Sequence, residues 1–150
     1  MIAIDTNALV VLIVGLIDPR LLKTHRRTSI YKQQDFEELS IVIGNISNLN
    51  ILSNVWTETD NLLNNFTGNY KYQYIQNITA SVQATTEIYV PSKTAVINPY
   101  FFDLGLTDCL LLEQAKTCSL LITSDSTLSD YATALGIQVY DVVKNANNRL

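Results

Sequence analysis

Four acidic residues stand out for where they fall in the chain. Asp5 follows the apolar run Ile2-Ala3-Ile4, and Glu58 lies among apolar residues of a helical stretch. Asp108 comes just after Leu104-Gly105-Leu106, and Asp125 closes the run Leu121-Ile122-Thr123-Ser124-Asp125. None of them falls in a run of charge, and each is attached to a segment expected to be rigid. Carboxylates gathered from distant parts of a chain repel one another and resist joint ionisation unless a cation offsets the repulsion. Oxygen donors suit a hard divalent ion, Mg²⁺ or Mn²⁺. Two such ions about 3.5–4 Å apart activate water and stabilise both oxygens of an in-line phosphoryl displacement. Metal-assisted phosphoryl displacement by water is the chemistry such a set would serve.

The elements that must bring these acids together are legible as short apolar runs alternating with helical patterns. Met1 to Ile4 predicts a buried strand with Asp5 at its carboxyl end. Asn7 is suited to cap the helix that follows, and Asp18-Pro19 ends it or starts the next segment. Gln34 to Ile46 predicts a helix, with Phe36, Leu39, Ile43 and Ile46 at threes and fours. Ile51-Leu52 predicts a short strand, and Val55, Leu62, Leu63 and Phe66 mark the helix that carries Glu58. Tyr70 to Ile88 reads as one long helix with Tyr74, Ile78 and Val82 on one side. Pro91 and Pro99 bracket a short helix in a loop-rich region.

Thr107 is placed to cap a helix to about Lys116, with Asp108 in its first turn. Ser119 to Ile122 predicts a strand. Thr127 and Asp130 resemble a capping box, and Gly136 suits the end of that helix. Ile137 to Tyr140 predicts a last strand, and Lys144 to Leu150 a frayed tail. Strands separated by helices imply one domain over residues 1–150, α/β in class, with a mostly parallel sheet between two helical layers. Ligands of such sheets bind beyond the carboxyl ends of the strands, where Asp5 and Asp125 are expected.

The composition narrows the alternatives. A net charge of −4 argues against a broadly basic nucleic-acid surface and leaves only local bases, such as Lys23, Arg26 and Arg27, to meet phosphates. Cys109 and Cys118 form no CxxC pair and no zinc cluster, so both are expected to pack as free thiols. The run Ala8 to Ile17 is too short to span a membrane, which needs about 20 apolar residues. A buried first helix and a cytoplasmic protein are the expectation. His25, the sole histidine, lies in a basic loop and offers no basis for a histidine triad.

The fragments Ile2-Ala3-Ile4-Asp5-Thr6-Asn7, Val55-Trp56-Thr57-Glu58-Thr59-Asp60-Asn61-Leu62-Leu63, Leu106-Thr107-Asp108 and Leu121-Ile122-Thr123-Ser124-Asp125 occur in the order of PIN-domain motifs. Over nearly its whole length the chain resembles that family, whose bacterial members include VapC-like toxins. The resemblance implies a PIN-like three-layer α/β/α fold and a Mg²⁺- or Mn²⁺-dependent endoribonuclease. It implies Asp5, Glu58, Asp108 and Asp125 as catalytic and metal-ligating residues. Thr6, Asn7, Thr123 and Ser124 would orient carboxylates or waters around them. An RNA substrate, an antitoxin protein and a homodimeric partner follow from the same resemblance, as does a toxin-antitoxin role.

Each acid taken alone has an ordinary explanation as a helix cap or a solvated surface group; the ordered set is what points to a site. Asp60, Asp103 and Asp130 are left outside it. Lys71 with Tyr70, Tyr72 and Tyr74 would suit base stacking, though tyrosines at helical spacing more often pack half-buried. Three other classes compete with an active nuclease. A catalytically inactive PIN-like module would bind RNA or protein without cleaving it. A HAD-type phosphatase needs a second acid two residues after its nucleophile, where this chain has Asn7. A response-regulator receiver expects an acidic pair near the first strand, which is also missing.

Overall fold

A computed structural model describes residues 1–149. Its centre is a five-stranded sheet in the order β3-β2-β1-β4-β5, every neighbouring pair parallel. The strands are β1 (Ile2–Ile4), β2 (Leu49–Leu52), β3 (Thr86–Ile88), β4 (Leu120–Thr123) and β5 (Val139–Asp141). In β1 and at Leu121 to Thr123 of β4 every residue is buried, so the pattern is a continuous apolar run rather than an alternation. β1 pairs with β2 on one side and β4 on the other. The chain therefore winds outward in one direction from β1 and later in the other, which leaves a crevice past the ends of β1 and β4.

The helices are α1 (Thr6–Ile17), α2 (Gln33–Ile43), α3 (Ser53–Leu63), α4 (Gly68–Ala84), α5 (Ser92–Val96), α6 (Phe101–Ala115), α7 (Ser126–Ala134) and α8 (Val142–Asn148). α1 packs on α2, α3 and α4, while α6 packs on α5 and α7, giving a helical layer on either face of the sheet. The expected α/β/α architecture is thus observed, with a sheet that is wholly parallel. α1 is buried without interruption from Ala8 to Gly15, as an all-round apolar helix must be. Gly15 lies against the ring of Phe36 so closely that a Cβ would sit 2.1 Å from its Cδ2, which is how α2 crosses α1. Among the described residues no helix is long and apolar enough to cross a membrane.

Several local expectations change. The long helix ends at Ala84, and Thr86–Ile88 turns instead into the edge strand β3 on β2. The expected tail from Lys144 forms most of α8, whose N-cap Asp141 accepts a hydrogen bond from the Lys144 N–H at 2.8 Å. Arg149 then ion-pairs with the buried Asp35 and with Glu38, so the segment is held by α2 rather than frayed; Leu150 lies outside the described residues. Asn7 is no cap, because Asp5 takes that position for α1. Nor do Thr127 and Asp130 form a capping box, because Asp125 caps α7. Gly136, at φ 80°, does close α7 as expected. Cys109 and Cys118 are free thiols. His25 is half-buried, its ring centroid 5.0 Å from that of Phe66.

Candidate functional site

Asp5 leaves the end of β1 in extended backbone and caps α1, its Oδ1 accepting from the Ala8 N–H at 2.8 Å. Its Oδ2 accepts from the Thr123 hydroxyl at 2.5 Å and from the Ser124 N–H at 2.9 Å. The Asp5 N–H in turn donates to the Ile122 carbonyl, extending the β1–β4 ladder by one residue. Burial raises the pKa of Asp5; the three hydrogen bonds oppose that shift, and the nearby charge of Asp125 adds to it. Thr123 has a double role, since its oxygen also accepts from the Asp125 N–H at 2.9 Å. One hydroxyl on β4 thereby ties the first acid to the last.

Asp125 repeats the arrangement one strand over. It follows β4, caps α7, and accepts from the Leu128 N–H at 2.9 Å. Both acids satisfy orphan N–H groups at a helix start, and the helix dipole there favours their negative charge. Capping and site formation are therefore the same local act at each of these positions.

Glu58 projects from α3 and is clamped from two sides. The Thr6 hydroxyl donates to Oε1 at 2.7 Å, and the Thr107 hydroxyl donates to Oε2 at 2.6 Å. Thr107 thus serves Glu58 and not, as expected, the start of its own helix. The break in α6 is made by Gly105, whose φ of 77° and ψ of −174° lie outside helical values. This left-handed φ is natural for glycine. The helix resumes after it, which keeps Asp108 in the first turn of the second segment.

Asp5, Thr6, Asn7, Glu58, Asn61, Leu62, Asp108 and Asp125 line one cleft of about 360 Å³. The four acids expected from the sequence are therefore brought together at the crevice beyond β1 and β4. The Asp108 carboxyl is pushed up to about 7 by burial first, then by the charges of Asp125, Asp5 and Glu58. Among the described residues none donates a hydrogen bond to it. Of the four supporting residues, Thr6 and Thr123 bind carboxylates through their hydroxyls, and Ser124 does so through its N–H. Asn7 lines the cleft without such a bond.

The donor set is all oxygen and strongly anionic, which suits a hard divalent ion. As arranged here, no three acidic, histidine or cysteine side chains among the described residues stand close enough to hold one. Asn61 and Leu62 were missed by sequence reading. Asn61 falls three positions after Glu58, a spacing that shares a helix face. Asp60 is directed away from the cleft and accepts the Tyr74 hydroxyl at 2.6 Å, and Asp103 binds Tyr131. Neither lines the cleft.

No family model matches the chain, and no curated protein matches it. A solved structure described as "A domain of a functionally unknown protein from Methanocaldococcus jannaschii DSM 2661" is similar over 93% of this chain and 89% of that one. The identity is 17% and the TM-score 0.45.

Proposed function

We propose that the protein is a divalent-metal-dependent ribonuclease of the PIN type, hydrolysing RNA phosphodiesters in the cleft beyond β1 and β4. The observation that carries this reading is the gathering of Asp5, Glu58, Asp108 and Asp125, from four separate stretches of chain, along one cleft. Asp5, Asp108 and Asp125 would hold Mg²⁺ or Mn²⁺, and Glu58 would complete the anionic set directly or through water. A bound divalent ion supplies a water of lowered pKa and neutralises charge on the phosphoryl oxygens.

The chain's own residues do the positioning. Thr123 fixes the Asp5 carboxylate and the Asp125 backbone together, so the two acids move as one unit. Thr6 and Thr107 hold Glu58 at the mouth of the cleft, where it orients a water or the ribose of the substrate. Asn7 and Asn61 offer neutral amides to phosphate and sugar oxygens on the cleft wall. An antitoxin partner, and a toxin role in the cytoplasm, follow if the resemblance to VapC-like toxins extends to regulation.

The deciding experiment compares cleavage of single-stranded RNA by the wild-type chain and by Asp125→Asn, with Mn²⁺ and with EDTA. Asparagine caps a helix about as well as aspartate, so this variant removes charge while keeping α7. Cleavage should need the metal and fall by at least roughly 100-fold in the variant, the scale of losing one preorganised electrostatic group. Equal cleavage by both proteins rejects the site. RNA binding without cleavage by either would favour the inactive binding module.

A further inference from the structure

Beside the acidic cleft runs a second depression, of about 550 Å³, between α3 and α4. Asn61 lines both, so the two adjoin at that residue. We propose that this groove is the subsite for a nucleobase of the RNA strand cleaved next door. The inference rests on the ribonuclease reading and adds to it where the strand runs and what is recognised.

The groove is built for a neutral, flat, partly polar group. Its volume lies within the roughly 300–1,000 Å³ of small-molecule sites. Ile78 and Val82 supply apolar wall, and Thr79, Gln83 and Asn61 supply hydroxyl and amide groups able to meet the edge of a base. No lysine or arginine lines it, and the Asp60 carboxylate on its wall repels phosphate. A phosphate is therefore disfavoured there, while a base extended sideways from a backbone lying in the metal cleft is not. Single-stranded RNA is commonly recognised in this way, by unstacked bases inserted into apolar and hydrogen-bonding pockets.

Trp56 adds an independent observation. It lines the groove and is 7% exposed, and its indole N–H is buried without a hydrogen-bond partner among the described residues. An unpaired buried donor costs about 1–3 kcal/mol. A carbonyl or ring nitrogen of a base, entering with a small shift of the indole, would satisfy it.

Trp56 is also the sole tryptophan of the chain, so its fluorescence reports groove occupancy directly. The test uses full-length Asp125→Asn protein in EDTA, titrated separately with the four ribonucleoside 5′-monophosphates. At least one should give a saturable fluorescence change, and Val82→Arg, at a position 39% exposed, should abolish it while Val82→Ala retains it. No saturable change with any of the four, or the same change in Val82→Arg, overturns the proposal. So does a groove already sealed by a second copy, seen as self-association that Val82→Arg disrupts. Cleavage of RNA without groove binding would sink the subsite alone, and groove binding without cleavage would sink the ribonuclease reading alone.

Discussion

Asp5 and Thr123, 118 residues apart in sequence, share a 2.5 Å hydrogen bond that joins the first strand to the fourth at the floor of the acidic cleft. The bond is charge-assisted and buried, which puts it among the stronger kind. Its threonine oxygen also receives the Asp125 N–H, so one side chain sets the spacing of two carboxylates. Thr123→Val keeps the shape and removes the hydroxyl. The variant should lose roughly 1–3 kcal/mol in denaturant unfolding, because a buried carboxylate is left short of a donor. Cleavage should drop by about 10–100-fold, as it does when supports of metal ligands are removed. Unchanged stability and activity would show that Thr123 organises nothing.

Glu58 offers a cleaner separation of function from folding. It is exposed, and among the described residues its carboxylate is held only by Thr6 and Thr107. In Thr107→Val the carboxylate keeps only its bond from Thr6, and activity should fall by roughly 10-fold while the melting temperature stays within about a degree. Loss of folding in that variant would make Thr107 a structural residue instead.

The raised carboxyl of Asp108 makes a prediction about pH. Its pKa in the folded chain is about 7 against an ordinary value of 3.8, so between those limits the folded state holds a proton that the unfolded chain has lost. The stabilising contribution is complete below the lower value and disappears as pH rises through the upper one. Metal-free protein should therefore lose thermal stability from pH 5 to pH 8, and Asp108→Asn should flatten that decline. Parallel melting curves for the two proteins across this window would contradict the assignment.

α8 is held to the body by charge. Asp35 is 2% exposed and its cationic partner is Arg149, which also reaches Glu38 at 3.1 Å. Arg149→Met leaves a buried carboxylate without its cation and should cost about 3–5 kcal/mol. A stability loss under 1 kcal/mol would mean that Asp35 is satisfied by its Lys32 N–H contact alone.

Much of this architecture is written in local signals. Apolar runs ending in an acid, Ile4-Asp5 and Thr123-Ser124-Asp125, mark both a strand end and a helix cap, and one residue performs both tasks. The parts that resisted reading depend on partners far away in sequence. Thr86–Ile88 is a three-residue, partly exposed edge strand, and nothing in Thr-Glu-Ile outweighs the helical pattern running into it; pairing with Asn50 to Leu52 decides it. α8 is rich in asparagine, a poor helix former, and is secured by Glu38 and Asp35 instead. Thr107 was read as a cap because local spacing favours it, whereas the Gly105 break and a glutamate 49 residues earlier claim its hydroxyl.

Strand order also fixes when the carboxylate set can come into being. Asp5 is synthesised long before β4, the neighbour that completes its strand, and the hydroxyl that fixes it arrives 118 residues later. A growing chain on the ribosome therefore carries an open-edged β1 and an unsupported acid until residues near 125 have emerged. Whatever the acidic cleft does to other molecules, it does only after residues near 125 have joined the sheet, so the topology acts as a timer against premature activity during translation.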